Sequence, residues 1–75
     1  MTQYQIGCAY IDGMTTAQIE QILANPDLTL TIEWEVMGPL DLGSITSHRG
    51  MILADRLENH MRRRLQARRS TTDEA

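Results

Sequence analysis

The sequence predicts a small α+β protein with the element order β-α-β-α, in which a two-stranded sheet packs beside a long C-terminal, Arg-rich helix. Three observations lead to this prediction. Apolar and polar residues alternate over 3–11 and again over 28–37, the period of a strand with one buried face. A helix-start pattern lies between these runs at Thr15. Apolar residues then recur at spacings of three, four and seven over 45–65, which is one face of an α-helix.

The first predicted strand is the segment QYQIGCAYI at 3–11. Alternation places one set of side chains together on its buried face, namely Tyr4, Ile6, Cys8 and Tyr10. The Asp12-Gly13 dipeptide that follows is typical of a turn and ends the strand.

The first predicted helix covers residues 14–25. Thr15 is suited to the N-cap position, and Gln18, three residues later, completes a capping box. Asn25-Pro26 ends the helix, because a residue that precedes proline is driven out of the α region.

The second predicted strand, at 28–37, has the most regular alternation in the chain. Its apolar face would hold Leu28, Leu30, Ile32, Trp34 and Val36. Glu33 and Glu35 would lie on the opposite, solvent-facing side, about 7 Å apart. Gly38-Pro39 ends the strand.

The last helix is predicted from Met51 to Gln66. It could begin earlier, with Ser44 or Ser47 as its N-cap. Gly50 is unfavourable inside a helix by about 1 kcal/mol relative to alanine. This glycine indicates either a helix start near Met51 or a point where the helix passes close to another part of the backbone.

These elements form one domain over residues 1–69, followed by a frayed polar tail at 70–75. A two-stranded sheet is marginally stable and its edges are open. We therefore expect a protein partner, or a second copy in a homodimer, to complete the sheet or to cover the long helix. The predicted buried set is Ile6, Cys8, Ile22, Leu30, Ile32, Trp34, Leu53, Leu57 and Met61.

Charge is distributed unevenly along the chain. Its net charge is −3, but residues 1–48 carry acids without any Arg or Lys, and the chain has no Lys at all. All seven Arg residues lie in the stretch from Ser44 to Arg69, at Arg49, Arg56, Arg62, Arg63, Arg64, Arg68 and Arg69. Either the two halves attract each other, within one molecule or between copies, or the helix binds an acidic partner. Together with Glu33 and Glu35, these arginines are the predicted partner-binding residues.

No combination of residues predicts catalysis, a metal site, a cofactor or a small-molecule substrate. Cys8 has no neighbouring base and is expected to be a small buried apolar residue. His48 and His60 have no second ligand at zinc-binding spacing. The single cysteine and the lack of a long apolar run or a signal peptide predict a cytoplasmic protein that neither spans nor lies on a membrane.

About a third of the chain resembles the small phage tail assembly chaperones. The resemblance consists of an acid–Trp pair, a Gly/Pro turn, an Arg and a helix with small residues and Asn, here Glu33-Trp34, Gly38-Pro39, Arg49, Ala54 and Asn59. The spacing of these features departs from that of the chaperones. The resemblance implies a phage or mobile-element accessory protein and assigns no site residues. It also implies a mainly helical fold, which conflicts with the strand predicted at 28–37.

The sequence therefore favours a small non-enzymatic, intracellular protein–protein interaction module, such as an inhibitor, adaptor or assembly factor. The alternative is a nucleic-acid-binding accessory protein that uses the arginines of the last helix to contact phosphates. Against it, the isoelectric point is about 5.1, and no aromatic residue lies among the arginines to stack on bases.

Overall fold

The computed structural model describes residues 1–74, and this part of the chain is all-helical, with no strand. Its elements are α1 (Gln3–Asp12), α2 (Thr16–Leu23), α3 (Leu28–Ile32), a π-helical segment (Glu33–Met37) that continues α3, and α4 (His48–Glu74). The predicted α+β class, the β-α-β-α order and the two-stranded sheet are therefore wrong. The physical reasons differ for the two segments that were predicted to be strands.

The first segment forms α1 because Thr2 starts a helix. The Thr2 hydroxyl accepts from the Gln5 backbone N–H at 3.1 Å, and the Gln5 side chain accepts from the Thr2 N–H at 2.9 Å. This capping box has the same Thr-x-x-Gln pattern that predicted α2. Once folded, α1 buries Gly7 and Ile11, which lie one helical turn apart. A helix also satisfies its own backbone hydrogen bonds, whereas a strand at this position would need a partner strand.

The prediction of a helix after Thr15 is confirmed. The Gln18 N–H donates to the Thr15 hydroxyl at 3.1 Å, and the Thr15 N–H donates to the Gln18 side chain at 2.8 Å. α2 buries Ile19 and Ile22, and it ends before Asn25-Pro26 as expected.

The second segment forms α3 and the π-helical segment because its alternation contains a helical pattern. In a run with an apolar residue at every second position, every fourth position is also apolar, and fourth positions share one face of a helix. Ile32 and Val36 are accordingly fully buried. Leu30 and Trp34 were expected on the same buried face, but they are exposed because the helix turns them to the opposite side.

The helical conformation changes pitch and then ends between residues 33 and 42. Gly38 donates its N–H to the Glu33 carbonyl oxygen, five residues back, at 2.6 Å, which is the hydrogen bond of a π-helix. Asp41 then adopts a left-handed conformation with φ of 54°. The Leu42 N–H returns to the Met37 carbonyl oxygen at 2.9 Å, and both side chains are buried. This is a Schellman-type ending with Asp at the position usually held by Gly.

The long C-terminal helix is confirmed, and it begins at His48 with Ser47 as its cap. The Gly50 N–H donates to the Ser47 hydroxyl at 3.0 Å. Gly50 is buried, and a Cβ atom at this position would overlap the Ser44 carbonyl oxygen. Of the two interpretations of Gly50, close approach to another part of the backbone is the one that the structure shows. Residues 70–74 of the predicted tail continue α4, and Ala75 lies outside the described residues.

α4 is the central element, against which α1, α2 and α3 pack. Its buried face contributes Leu53, Ala54, Leu57, Met61 and Leu65 to the core. The other elements contribute Ile11, Ile19, Ile22, Ile32, Val36, Met37 and Leu42. At the crossing of α1 and α4, a Cβ atom on Gly7 would lie 2.6 Å from Leu57 Cδ2, so this glycine allows the two helices to approach closely.

The predicted core was correct in part. Its buried members are Ile22, Ile32, Leu53, Leu57 and Met61. Ile6 and Cys8 are half-buried and pack against the core from α1. The prediction was wrong for Leu30 and Trp34, which leave their apolar surface in water.

Candidate interaction surfaces

Within the described part of the chain, six of the seven arginines contact other side chains of the same molecule. The exception is Arg49. These contacts join α4 to α1 and α2, and one lies within α4. The acidic N-terminal half and the Arg-rich helix therefore attract each other within one molecule, which was one of the two interpretations of the uneven charge.

Tyr4 is surrounded by side chains from α4. The guanidinium carbon of Arg56 lies 3.9 Å from the centre of the Tyr4 ring, a cation–π contact. Arg63 donates to the Tyr4 hydroxyl at 3.1 Å. The His60 ring meets the Tyr4 ring edge-on, with 6.4 Å between their centres. These contacts attach the start of α1 to the middle of α4.

Asp12 joins the end of α1 to the C-terminal half of α4. Its Oδ1 atom lies 2.8 Å from His60 Nε2 and 2.9 Å from Arg64 Nε. The hydrogen bond from Arg64 lowers the pKa of Asp12 below its usual value, and His60 also lowers it, whereas partial burial opposes the change. An acid at the negative end of a helix dipole is normally unfavourable, and these two partners compensate for that position.

The lowered pKa gives Asp12→Asn an expected pH signature. A carboxyl with a lowered folded-state pKa contributes stability above its unfolded pKa of about 3.9 and loses this contribution as the pH falls through the folded value. Since the Asp12 side chain is 37% exposed, the expected loss at neutral pH is only about 0.5–1 kcal/mol. Urea unfolding should show that the difference between variant and wild type shrinks as the pH falls below the unfolded pKa of Asp12 and disappears once the folded-state carboxyl is also protonated. A difference of constant size at every pH would contradict a charge effect. Glu20→Gln is the control, because Glu20 forms a single ion pair, with Arg69, and this pair is longer than the two formed by Asp12.

The remaining arginines of the C-terminal half of α4 bind α1, α2 or α4 itself. Arg68 donates to the Thr16 hydroxyl at 3.2 Å and to the Asp12 carbonyl oxygen at 3.3 Å. Arg69 Nη2 lies 3.4 Å from Glu20 Oε2, an ion pair. Arg62 pairs with Glu58, one turn earlier on α4, at 3.1 Å.

Arg49 is exposed, and the described residues offer it no ion-pair or hydrogen-bond partner. Together with Arg56 it borders a cleft of about 240 Å³ between the start of α1 and the N-terminal part of α4. We call this the α1–α4 cleft. Its other lining residues are Thr2, Gln3, Tyr4, Ile52 and Leu53.

The two predicted acidic site residues have different environments. The Glu33 carboxylate accepts the backbone N–H of Ile45 at 2.9 Å and so holds the loop before α4. Glu35 is exposed and borders a separate cleft of about 490 Å³ between α2 and α3, together with Tyr10 and Gln21. Residues two positions apart share one face of a strand but point in different directions on a helix. Glu33 and Glu35 therefore do not form one surface.

Trp34 is the most unusual surface residue that the structure describes. Its side chain is 69% exposed, although tryptophan is usually well buried. Leu30, one helical turn earlier, is 38% exposed. We call this pair the Trp34 surface. The sequence prediction missed the Trp34 surface because it placed both Leu30 and Trp34 in the core. The available sign was the four-residue spacing of Leu28, Ile32 and Val36: if these residues share the buried face of a helix, Leu30 and Trp34 face outwards.

In the described residues, these features define a small all-helical protein with an apolar surface on α3 and the π-helical segment, and a basic cleft beside α4. Among the described residues, no three His, Cys, Asp or Glu side chains lie close enough together to hold a metal ion. None of the helices in residues 1–74 has the length and apolar character needed to cross a membrane. The chain matches no family model, no curated protein and no solved structure.

Proposed function

We propose that this protein is a small non-enzymatic interaction module that binds another protein through the Trp34 surface. The exposure of the Trp34 indole is the observation that carries this proposal. Tryptophan is enriched among the residues that dominate binding energy at protein interfaces. Its exposure is unfavourable for the isolated molecule, and a partner that covered it would gain the corresponding hydrophobic free energy.

Two further observations support this use of Trp34. The indole projects from a π-helical segment, and such segments occur frequently at functional sites. The buried side of the same segment is well anchored, because Val36 and Met37 are fully buried and the Glu33 carboxylate accepts a hydrogen bond from the Ile45 backbone N–H. Trp34 is therefore presented on a rigid support, which lowers the entropy cost of binding.

The resemblance to phage tail assembly chaperones supports an accessory role, such as an adaptor, inhibitor or assembly factor. Trp34 belongs to the acid–Trp pair of that resemblance, and the helical fold agrees with the fold class that the resemblance implies. We place this role in the cytoplasm, because a chain with one cysteine depends on no disulfide.

Self-association remains part of the proposal, but for a different reason from the one that the sequence suggested. No sheet edge exists in the described residues that a second copy could complete. A homodimer would instead form by covering the Trp34 surface in both copies.

Nucleic-acid binding by the Arg-rich helix receives less support. Many phosphate contacts would require arginines that are free to donate, and five of the seven already donate to partners within the molecule. If Arg62→Glu combined with Arg63→Glu leaves the retention of RNA and DNA unchanged at low salt, this alternative fails.

Site-specific photo-crosslinking tests the proposed function. A photoreactive phenylalanine analogue replaces Trp34 in one sample and the exposed Asn59 of α4 in a control, and each protein is irradiated in a lysate of its source cells. We expect a discrete, saturable adduct from position 34 that is absent from position 59. An adduct with twice the chain's mass would identify a second copy as the partner.

Competition shows whether the adduct depends on the indole. An excess of unmodified wild-type protein should abolish it, whereas Trp34→Ser should compete at least tenfold less well, since residues that dominate an interface contribute about 2 kcal/mol or more. The proposal fails if no adduct forms at position 34, if position 59 gives the same adducts, or if Trp34→Ser competes as well as the wild type.

A further inference from the structure

We propose that the α1–α4 cleft is a second docking site, which binds an acidic amphipathic helix of a partner protein. This inference rests on the proposed function in that it assumes a protein-binding role. It concerns a different surface, however, and can fail while the Trp34 surface still binds its partner. Charge complementarity at the cleft is the basis of the proposal.

The cleft is basic, and its charge is not neutralised within the molecule. Arg49 and Arg56 border it, and no acidic residue lines it among the residues that the structure describes. Neither arginine forms an ion pair in the described part of the chain, in contrast to Arg62, Arg64 and Arg69. The two guanidinium groups are therefore available to carboxylates from another molecule, which they can bind through two parallel hydrogen bonds.

Arg56 is also preorganised for such binding. Its guanidinium group is stacked on the Tyr4 ring, which restricts the side chain while leaving the in-plane N–H donors at its edge. Tyr4 is in turn fixed by the hydrogen bond from Arg63. A carboxylate that binds Arg56 thus pays less of the usual entropy cost of immobilising a long side chain.

The spacing of the two arginines indicates what kind of segment fits. They lie seven residues apart on α4, which corresponds to about 10.5 Å along a helix axis. A second helix that lies along α4 presents residues seven apart at the same distance, so two acids at that spacing meet both arginines. Between the arginines, Ile52 is 47% exposed and offers an apolar contact for an aliphatic residue of the partner. The resulting pattern has two acids seven apart on one face, with leucine or isoleucine between them.

Protein is a better fit than nucleic acid for this cleft. A phosphate backbone gains nothing from the exposed Ile52, and it would be repelled by a chain with a net charge of −3. Two arginines without ion pairs are also few for a nucleic-acid site, where affinity grows with the number of phosphates neutralised.

Fluorescence anisotropy with a labelled model peptide tests the inference. The peptide is a helix of about four turns with two Glu seven residues apart and Leu between them, and its control has both Glu replaced by Gln. We expect the wild-type protein to bind the Glu peptide, with affinity falling as salt is raised. Arg49→Gln should weaken binding about tenfold, as expected for the loss of a hydrogen bond to a charged group. Arg62→Gln, which removes an arginine paired within α4, should stay within about twofold of the wild type.

Several results would overturn the inference. The first is equal binding of the Glu and Gln peptides, and the second is an equal loss of peptide affinity for Arg49→Gln and Arg62→Gln. The third is tighter binding of single-stranded DNA than of the Glu peptide, with the same dependence on Arg49. If the protein alone self-associates, and Arg49→Gln abolishes this self-association, then a second copy of the chain occupies the cleft. Because Arg49 is exposed and unpaired in the described residues, its substitution should leave the helical circular dichroism spectrum unchanged. A negative peptide result alongside a Trp34 adduct would reject this second site and leave the proposed function standing.

Discussion

Ile32→Ala is expected to lower the free energy of unfolding by about 2–5 kcal/mol, whereas Trp34→Ala should change it by no more than about 0.5 kcal/mol. Ile32 is fully buried in the core, and its truncation leaves a cavity among α3, α4 and their neighbours. Trp34 lies two residues later but faces water. A loss of this size is severe for a chain of 75 residues, whose total stability is about 4–11 kcal/mol.

Urea unfolding of the two variants also distinguishes a helix from a strand at this segment. On a strand, Ile32 and Trp34 would share the buried face, and Trp34→Ala would cost about 3–5 kcal/mol. Similar losses for the two variants would therefore contradict the helical structure. If Ile32→Ala does not fold, Ile32→Val gives the same comparison at about 0.5–1.5 kcal/mol.

Gly50→Ala is expected to destabilise the protein by about 2–3 kcal/mol, although Gly50 lies in a helix. For an ordinary helical glycine, replacement by alanine should stabilise by about 1 kcal/mol. Here the new Cβ atom would overlap the Ser44 backbone carbonyl oxygen, and it would lie 3.0 Å from the Ser47 hydroxyl that caps α4. Because the obstructing atom belongs to the backbone, relief would require movement of the capping loop rather than a change of side-chain rotamer.

Gly13→Ala is the matched control for Gly50→Ala. Gly13 has a φ of −84°, and its nearest obstacle to a Cβ atom, the Tyr10 carbonyl oxygen, is 3.5 Å away, an ordinary contact distance. Alanine should therefore be neutral here or stabilise by about 0.4–1 kcal/mol through the unfolded state. The expected signs are opposite for the two glycines. A stabilising Gly50→Ala would show that Ser44 does not approach α4 as closely as the structure places it.

The arginines show how tertiary contacts change the meaning of a sequence pattern. In the sequence, their seven-residue repeats define a basic face that could contact any acidic partner. In the structure, α1 and α2 supply partners for that face, chiefly Tyr4, Asp12 and Glu20. In the N-terminal part of α4, Arg49 and Arg56 are exposed and form no ion pair within the described residues, so this part keeps a basic surface.

Local sequence signals determined a large part of this architecture. The Thr-x-x-Gln pattern at Thr15 set the start of α2. The recurring apolar residues at 53–65 set the buried face of α4, which extends beyond them from His48 to Glu74. The capping pattern works through interactions within one helical turn, whereas the apolar face of α4 is stabilised by packing against the other helices. The same Thr-x-x-Gln pattern at Thr2 and Gln5 marks the start of α1, where the alternation of residues 3–11 predicts a strand instead.

Only the tertiary structure decided between strand and helix for residues 28–37. Their alternating pattern fits both, since every fourth residue of an alternating run lies on one helical face. The choice depended on whether a second strand was available and on the helical surface of α4 that Ile32 and Val36 could cover. The exposure of Trp34 followed from that choice, and the pairing of the arginines followed from the packing of α1 and α2 against α4. Both depend on which distant surfaces meet, and residue types and spacings along the chain do not encode this by themselves.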